Sequence, residues 1–506
     1  AITNEESPSA GVSFIFDNTA PISTIVLPVN NTTYNSLPLV SGTASDNATN
    51  VTGVQIQINN FTDGTYWTGA AWGASTWLNV TGTANWTYTS PAFTSGKVYI
   101  VKSKATDGTG NVETPSAGNT FTFDNASPTS SISAPANGAN LNALGIISGT
   151  ASDTTSTVTS VVISIKNTND TTYWNGTIWS GSETWLSVTG TSNWQYTSPT
   201  WTNAKTYQIR SKATDSIGNS EIPSAGNFFT YDNVAPTSSV SQPANGANLS
   251  SLANINGSAS DATSGVSVVK ITIKNVNDNV YWNGTIWIGS ETWLNATGTT
   301  SWSYVSPTWT DGKTYLIKSS ATDVATNVEI SSSGNSFTYD TTASTSSIVL
   351  PSNGAKLSSL LTISGTASDA QGIQKVEISI KNYALNQYWN NSIWVDPPEI
   401  WVLVTGTVNW TYTSPTWNNS VNYLIRSKAT DNAGNSETAG TGNSFLFDKQ
   451  APTSSITYPT NGALLNSISL VSGSASDNAA GVQLVKISLK NGNDTGVALI
   501  DCLIWH

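Results

Sequence analysis

Fourteen of the twenty-one aspartates fall in three recurring columns. Carboxylates gathered in this way could hold an oxygen-seeking cation or, paired, could act as general acid and base. One column closes Ser-Gly-Thr-Ala-Ser-Asp at Asp46, Asp153 and Asp369, with variants ending at Asp261 and Asp477. The second closes Lys-Ala-Thr-Asp at Asp107, Asp215 and Asp431 and Ser-Ala-Thr-Asp at Asp323. The third follows a run of alternating aromatics at Asp17, Asp124, Asp232, Asp340 and Asp448. The single histidine is His506 and the single cysteine Cys502, so nucleophile–imidazole pairs, thiol chemistry and zinc sites are excluded from the body of the chain. Lys and Arg number 19 against 31 Asp and Glu, and a net charge of −12 argues against nucleic acid as a partner. No run of eighteen apolar residues occurs, so no membrane span is expected in this segment.

The columns repeat every 107 or 108 residues, which sets the length of one module. Within a module the apolar residues alternate. Tyr207, Ile209, Ser211 and Ala213 face one way and Gln208, Arg210 and Lys212 the other, while Val161, Ile163 and Ile165 oppose Val162, Ser164 and Lys166. Turn signals such as Asn137-Gly138 and Asn175-Gly176 separate these runs, and no stretch has a 3.6-residue apolar period. Seven or so short strands per module predict an all-β chain of tandem antiparallel β-sandwiches of immunoglobulin type, arranged as an elongated rod. The boundaries follow: residues 1–17 as an orphan C-terminal strand of a preceding module, then 18–124, 125–232, 233–340 and 341–448 as four repeats, and 449–506 as an incomplete fifth. Two explanations of the ends stay open. The chain is a fragment of a longer repeat protein, or the unpaired strand is donated to the next molecule in a head-to-tail fibre.

Openings such as Ala-Pro-Thr-Ser-Ser, the Ser-Gly-Thr-Ala-Ser-Asp motif and closings of the form Ala-Thr-Asp-x-x-Gly-Asn run through the chain. In these it resembles the bacterial and archaeal immunoglobulin-like (Big-type) tandem repeats of large cell-surface and adhesin-like proteins. The resemblance implies the sandwich fold and an extracellular or cell-surface location. The Trp-rich middle of each module, Tyr173-Trp174 through Trp179, Trp185, Trp194 and Trp201, departs from shorter members and predicts extra strands there.

Topology predicts where the columns meet. In a sandwich, the second and sixth strands end at the pole where the last strand of the preceding module arrives. Three carboxylates then converge at each junction: Asp17, Asp46 and Asp107; Asp124, Asp153 and Asp215; Asp232, Asp261 and Asp323; Asp340, Asp369 and Asp431; with Asp448 and Asp477 beginning a fifth. Three clustered carboxylates repel one another, and Ca2+, which takes six to eight oxygens, is the natural compensation. The alternative reading leaves these aspartates as turn residues that cap the loops they begin. Catalysis is not expected, because an active site is rarely built in four copies along a string.

Nineteen of the twenty tryptophans fall in five columns, of which Trp67, Trp174, Trp282 and Trp389 form one. Such rings could stack on polysaccharide, but a thin sandwich core also needs large side chains, and packing is the favoured reading. Sequons including Asn79, Asn85, Asn175, Asn248, Asn283, Asn295 and Asn409 suggest a glycoprotein. They are about as frequent as the composition alone predicts, and their positions drift between repeats. The chain therefore reads as a non-catalytic extracellular structural protein, a stalk or filament serving spacing, adhesion or fibre assembly. Its expected partners are copies of itself, joined head to tail or laterally, other cell-surface molecules, or glycans. A polysaccharide-binding array is the alternative.

Overall fold

The computed structural model describes residues 9–490 and the backbone of a strand at Ala498–Cys502. The first eight residues of the expected orphan strand, most of the tail that leaves the repeat pattern, and His506 lie outside the described residues. No helix long and apolar enough to cross a membrane occurs among the described residues.

The first repeat contains β1 (Ile22–Leu27), β2 (Thr32–Tyr34), β3 (Leu39–Ser45), β4 (Val51–Asn60), β5 (Thr65–Trp67), β6 (Trp72–Gly73), β7 (Leu78–Asn79), β8 (Asn85–Thr89), β9 (Lys97–Asp107) and β10 (Asn119–Phe123). One sheet has the order β1-β3-β8. The other has the order β2-β10-β9-β4-β5-β6, with β7 also on β4. All these neighbours are antiparallel except β2, which runs parallel to β10. The second repeat follows the same order with β11 (Thr129–Ala134), β12 (Ala139–Leu141), β13 (Ile146–Ser152), β14 (Val158–Asn167), β15 (Thr172–Trp174), β16 (Trp179–Ser180), β17 (Leu186–Ser187), β18 (Asn193–Thr197), β19 (Lys205–Asp215) and β20 (Asn227–Tyr231). Strands between Thr237 and Tyr339, and between Thr345 and Phe447, repeat it again.

Ten strands form where about seven were expected, for two reasons. The Trp-rich middle supplies three short strands, as anticipated. The first strand is also split, and its second half crosses to the other sheet to pair with the last.

The chain divides into two compact units. One runs to Val234 and includes Ala262–Gly265 and Asp323–Asn327; the other takes Ala235–Asp261, Val266–Thr322 and the residues from Val328 onward.

Alternation produces the cores. Along β19 the buried residues are Tyr207, Ile209, Ser211 and Ala213, with Gln208, Arg210 and Lys212 half-buried on the other face. One expected outward residue, Ser164, is buried instead. Its counterpart in the first repeat, Gln57, is also buried, and Gln57 Nε2 donates to Ser75 Oγ in the chain leaving β6 at 2.9 Å. Each core is centred on a tryptophan from the eighth strand: Trp86, Trp194, Trp302 and Trp410, all at most 2% exposed. Its indole lies against the glycine of Ser-Gly-Thr-Ala-Ser. A Cβ on Gly149 would sit 2.2 Å from Trp194 Cζ2 and 2.0 Å from the Ser131 carbonyl oxygen, so no larger residue fits beneath the ring.

Candidate functional site

The three aspartate columns occupy strand ends. Asp46 and Asp153 directly follow β3 and β13, Asp107 and Asp215 close β9 and β19, and Asp124 and Asp232 follow β10 and β20. The last of these is anchored from behind: the Asp124 N–H donates to the Tyr34 carbonyl at 2.8 Å, and Asp340 N–H to the Leu249 carbonyl at 2.9 Å. The backbone thus delivers the carboxyl group to the pole where the following sandwich begins.

In the first unit the structure brings together Asp17, Asp46 and Asp107, and separately Asp124, Asp153 and Asp215. In the second it brings together Asp340, Asp369 and Asp431. In each trio one carboxylate oxygen per residue lies within 4.8 Å of the other two. Of the remaining expected residues, Asp232 and Asp323 are buried in the first unit, while Asp261 follows the strand Asn254–Ser260 of the second. Asp448 and Asp477 each hold a turn, Asp448 Oδ1 accepting from Gln450 N and Asp477 Oδ1 from Ala479 N and Gly481 N.

Each carboxylate is fixed by its own loop. Asp215 Oδ1 accepts from the N–H groups of Ile217 and Asn219, and Oδ2 from Asn219 Nδ2 at 2.7 Å and Ser156 Oγ at 3.1 Å. Asp153 Oδ1 accepts from Thr155 N and Ser156 N. Asp124 Oδ1 accepts from Ser95 Oγ and Ala126 N. The turn-capping role read from the sequence is therefore present, and it orients the carboxylates without separating them. Asn219 spans the junction, since its Nδ2 also donates to the Asp124 carbonyl at 3.0 Å. Asn111 and Asn435 do the same toward Asp17 and Asp340.

The electrostatics divide the group. Burial raises the Asp107 carboxyl, but hydrogen bonds from the side chain and N–H of Asn111 and from Thr109 outweigh it and bring the value down to about 2. Asp215 is likewise lowered against burial, by Asn219, Ile217 and Ser156. Asp46 is lowered by the N–H groups of Thr49 and Ala48. Asp340 moves the other way: burial pushes it up, a single N–H from Thr342 pulls back, and the charges of Asp369, Asp431 and Asp311 add to the rise. A chemically useful consequence is a set of hard, anionic oxygens already aimed at one another.

The tryptophans of the candidate carbohydrate column are half-buried. Trp67, Trp174 and Trp389 donate Nε1 to the hydroxyls of Tyr88, Tyr196 and Tyr412 at 2.8–3.1 Å. Those rings and Trp282 lie 5.5–5.6 Å from Trp72, Trp179, Trp394 and Trp287. Among the sequons, Asn79, Asn85, Asn175, Asn295 and Asn409 are exposed and Asn248 and Asn283 half-buried. Asn175 and Asn283 also form the turns they begin, their Oδ1 atoms accepting from the N–H groups two and three residues on.

A further column escaped the sequence reading. Glu221 Oε1 accepts from Ser130 N at 3.0 Å, and its Oε2 from Ser130 Oγ at 2.6 Å and Ala213 N at 3.0 Å, joining β11 of one sheet to β19 of the other. Glu113 and Glu329 make the same bonds. The signal was available, because Glu113, Glu221, Glu329 and Glu437 recur every 108 residues.

The profile of the family described as "Bacterial Ig-like domain (group 3)" matches residues 82–226 and 192–343, together a little over half of the chain. That described as "Bacterial Ig domain" matches residues 345–424. None of the curated proteins matches. Among solved structures, the fibronectin(III)-like modules of Clostridium thermocellum CbhA are 17% identical, covering 42% of this chain and 94% of theirs with a TM-score of 0.21. The chicken CNTN1 FN1-FN3 domains are 12% identical, covering 64% of this chain and 99% of theirs with a TM-score of 0.24.

Proposed function

From a chain that belongs to the bacterial Ig-like domain family, we propose a non-catalytic structural array of the cell exterior, serving spacing or adhesion. Domains of this family are typically non-catalytic and commonly found in surface or extracellular proteins. The observation that carries the reading is the fourfold return of one self-contained sandwich, each copy with its own aromatic core built from the same columns. Repetition of that kind multiplies length and contact sites, which suits a spacer or an adhesive array.

An antibody against the second repeat should label intact cells of the source organism. Labelling only after permeabilisation would overturn an exterior location. The polysaccharide-binding alternative is tested by electrophoresis in gels with and without dissolved polysaccharide: a spacer migrates equally in both, and retardation abolished by Trp174→Ala would favour the alternative.

Assembly by strand donation is the finer part of the proposal. Donation predicts concentration-dependent association in sedimentation, lost in Phe14→Asp. A chain that stays monomeric at high concentration rules it out. Glycans on the exposed sequons would be read directly as added mass on the natural protein.

A further inference from the structure

We propose that two of the carboxylate trios, Asp124 with Asp153 and Asp215, and Asp340 with Asp369 and Asp431, are divalent-cation sites matched to Ca2+ that join consecutive sandwiches.

A cluster of aspartates would not by itself make a site. The decisive feature is an oxygen with no partner. Asp124 is 0% and Asp340 3% exposed. In each, Oδ1 is held by local donors, Ser95 Oγ and Ala126 N in one case and Thr342 N in the other. Oδ2 is buried in both and receives no hydrogen bond. Buried carboxylate oxygens are almost always satisfied, because stripping water from a charged group without replacement is costly. The other two residues of the trio each place a carboxylate oxygen within 4.8 Å, and a carboxylate accepts hydrogen bonds without donating one. The ion pairs among the described residues all involve other acids. A cation is the group these atoms lack.

The donor set and its size identify the class. All the ligands on offer are hard carboxylate oxygens, which select Ca2+ or Mg2+ over zinc or copper. Oxygens at 2.3–2.6 Å from Ca2+ can stand up to roughly 5.2 Å apart, so three of them within 4.8 Å of one another fit around one ion. Mg2+ demands near-ideal octahedral geometry, which loops from three strand ends do not supply. The loops fix the carboxylates beforehand: Asp153 and Asp369 accept from the N–H two residues on, and Asp215 and Asp431 from those two and four residues on. The trio of Asp17, Asp46 and Asp107 is different. Both oxygens of Asp17 accept hydrogen bonds, from Thr19 N and Thr49 Oγ1, and the residue is only half-buried. The one unpartnered oxygen of this trio, Asp46 Oδ1, sits on a residue that is itself only half-buried, and the trio is left outside the proposal.

Because Asp124 ends one sandwich while Asp153 and Asp215 belong to the next, an ion here would tie two modules of one unit together. Asp340, Asp369 and Asp431 would do the same in the other unit.

The test uses the full chain, stripped with chelator, and calcium alone as the probe. Calorimetric titration should show saturable binding in the range of roughly 0.1–1 mM, as in extracellular calcium modules. The double variant Asp124→Asn/Asp340→Asn should lose two sites, while Asp63→Asn/Asp278→Asn, which alters lysine-paired surface acids, should keep them. Calcium should raise the melting temperature of the natural chain and not that of the first variant. In chelator that variant should melt no lower than the natural chain, since a repulsion has been removed. If circular dichroism shows it misfolded, Asp153→Asn/Asp369→Asn provides the same comparison. Absence of saturation up to about 10 mM, or an undiminished number of sites in both variants, would overturn the proposal. Equal binding of Mg2+ would overturn its assignment to Ca2+.

Discussion

At the scale of single residues, the glycine of Ser-Gly-Thr-Ala-Ser is a position in each sandwich that admits no side chain. An added methyl at Gly149 meets Ser131 O at 2.0 Å and Trp194 Cζ2 at 2.2 Å, one of them backbone, so relief requires the two strands to part. Gly149→Ala should destabilise the second repeat by about 3 kcal/mol, at the upper end of overpacking costs. In denaturant titration followed by tryptophan fluorescence, one repeat would then unfold ahead of the others; a curve superimposable on the natural one would refute this use of the glycine. Two tyrosines contribute to stability at alkaline pH. Burial raises the Tyr423 hydroxyl, offset in part by Asn418 N–H, and raises Tyr412, offset by the Trp389 indole. Below pH 10, the ordinary tyrosine value, both groups are protonated in folded and unfolded chains alike. Above it the unfolded chain loses protons first, binds fewer than the folded one, and stability falls as pH rises toward the raised folded values. Melting temperature should therefore decline from pH 10 upward, and Tyr423→Phe should soften the decline. A profile unaffected by the substitution would exclude Tyr423 as a contributor.

At the scale of elements, the two sheets of a module are held by more than apolar packing. Glu221 reaches from the loop after β19 to both β11 and β19, and removing it leaves Ser130 N and Ala213 N short of an acceptor, while Ser130 Oγ keeps Ser211 Oγ at 2.8 Å. Glu221→Ala should cost about 3 kcal/mol, one or more for each orphaned donor, and Glu221→Gln less. Equal stability of the natural and alanine chains would mean that water replaces the carboxylate. The strands around this staple were legible in advance because their side chains alternate: β19 reads as buried and half-buried residues in strict turn. The short strands β15, β16 and β17 were legible only as a Trp-rich interruption. Two or three residues carry too little periodicity to declare a strand, and their pairing depends on the longer β14 to which they attach. Ser164 is buried against expectation for a related reason, since alternation tells which face of the strand a side chain takes and not whether that face is wet.

At the scale of the whole molecule, the 108-residue repeat predicts its mechanical signature. At an extended length of about 3.5 Å per residue, each repeat should release roughly 350 Å of chain when pulled apart. Single-molecule extension should show four such equal steps; unequal or merged steps would mean that repeats do not unfold as separate units. The sequence by itself determined the repeat, the all-β class, the core columns and the absence of imidazole or thiol chemistry from the body of the chain. These follow from composition and from periodicities that a strand imposes on its own residues. It also indicated which strand ends meet, because strand direction in a sandwich fixes the pole at which each one finishes. What only the tertiary structure decided is which atoms there are satisfied. Whether Asp124 Oδ2 finds a donor, whether Glu221 spans two sheets, and whether Asn219 reaches back to Asp124 all depend on distances between segments about ninety residues apart. No local pattern encodes such distances, since a hydrogen bond is made or lost within a few tenths of an ångström that only the packed chain sets.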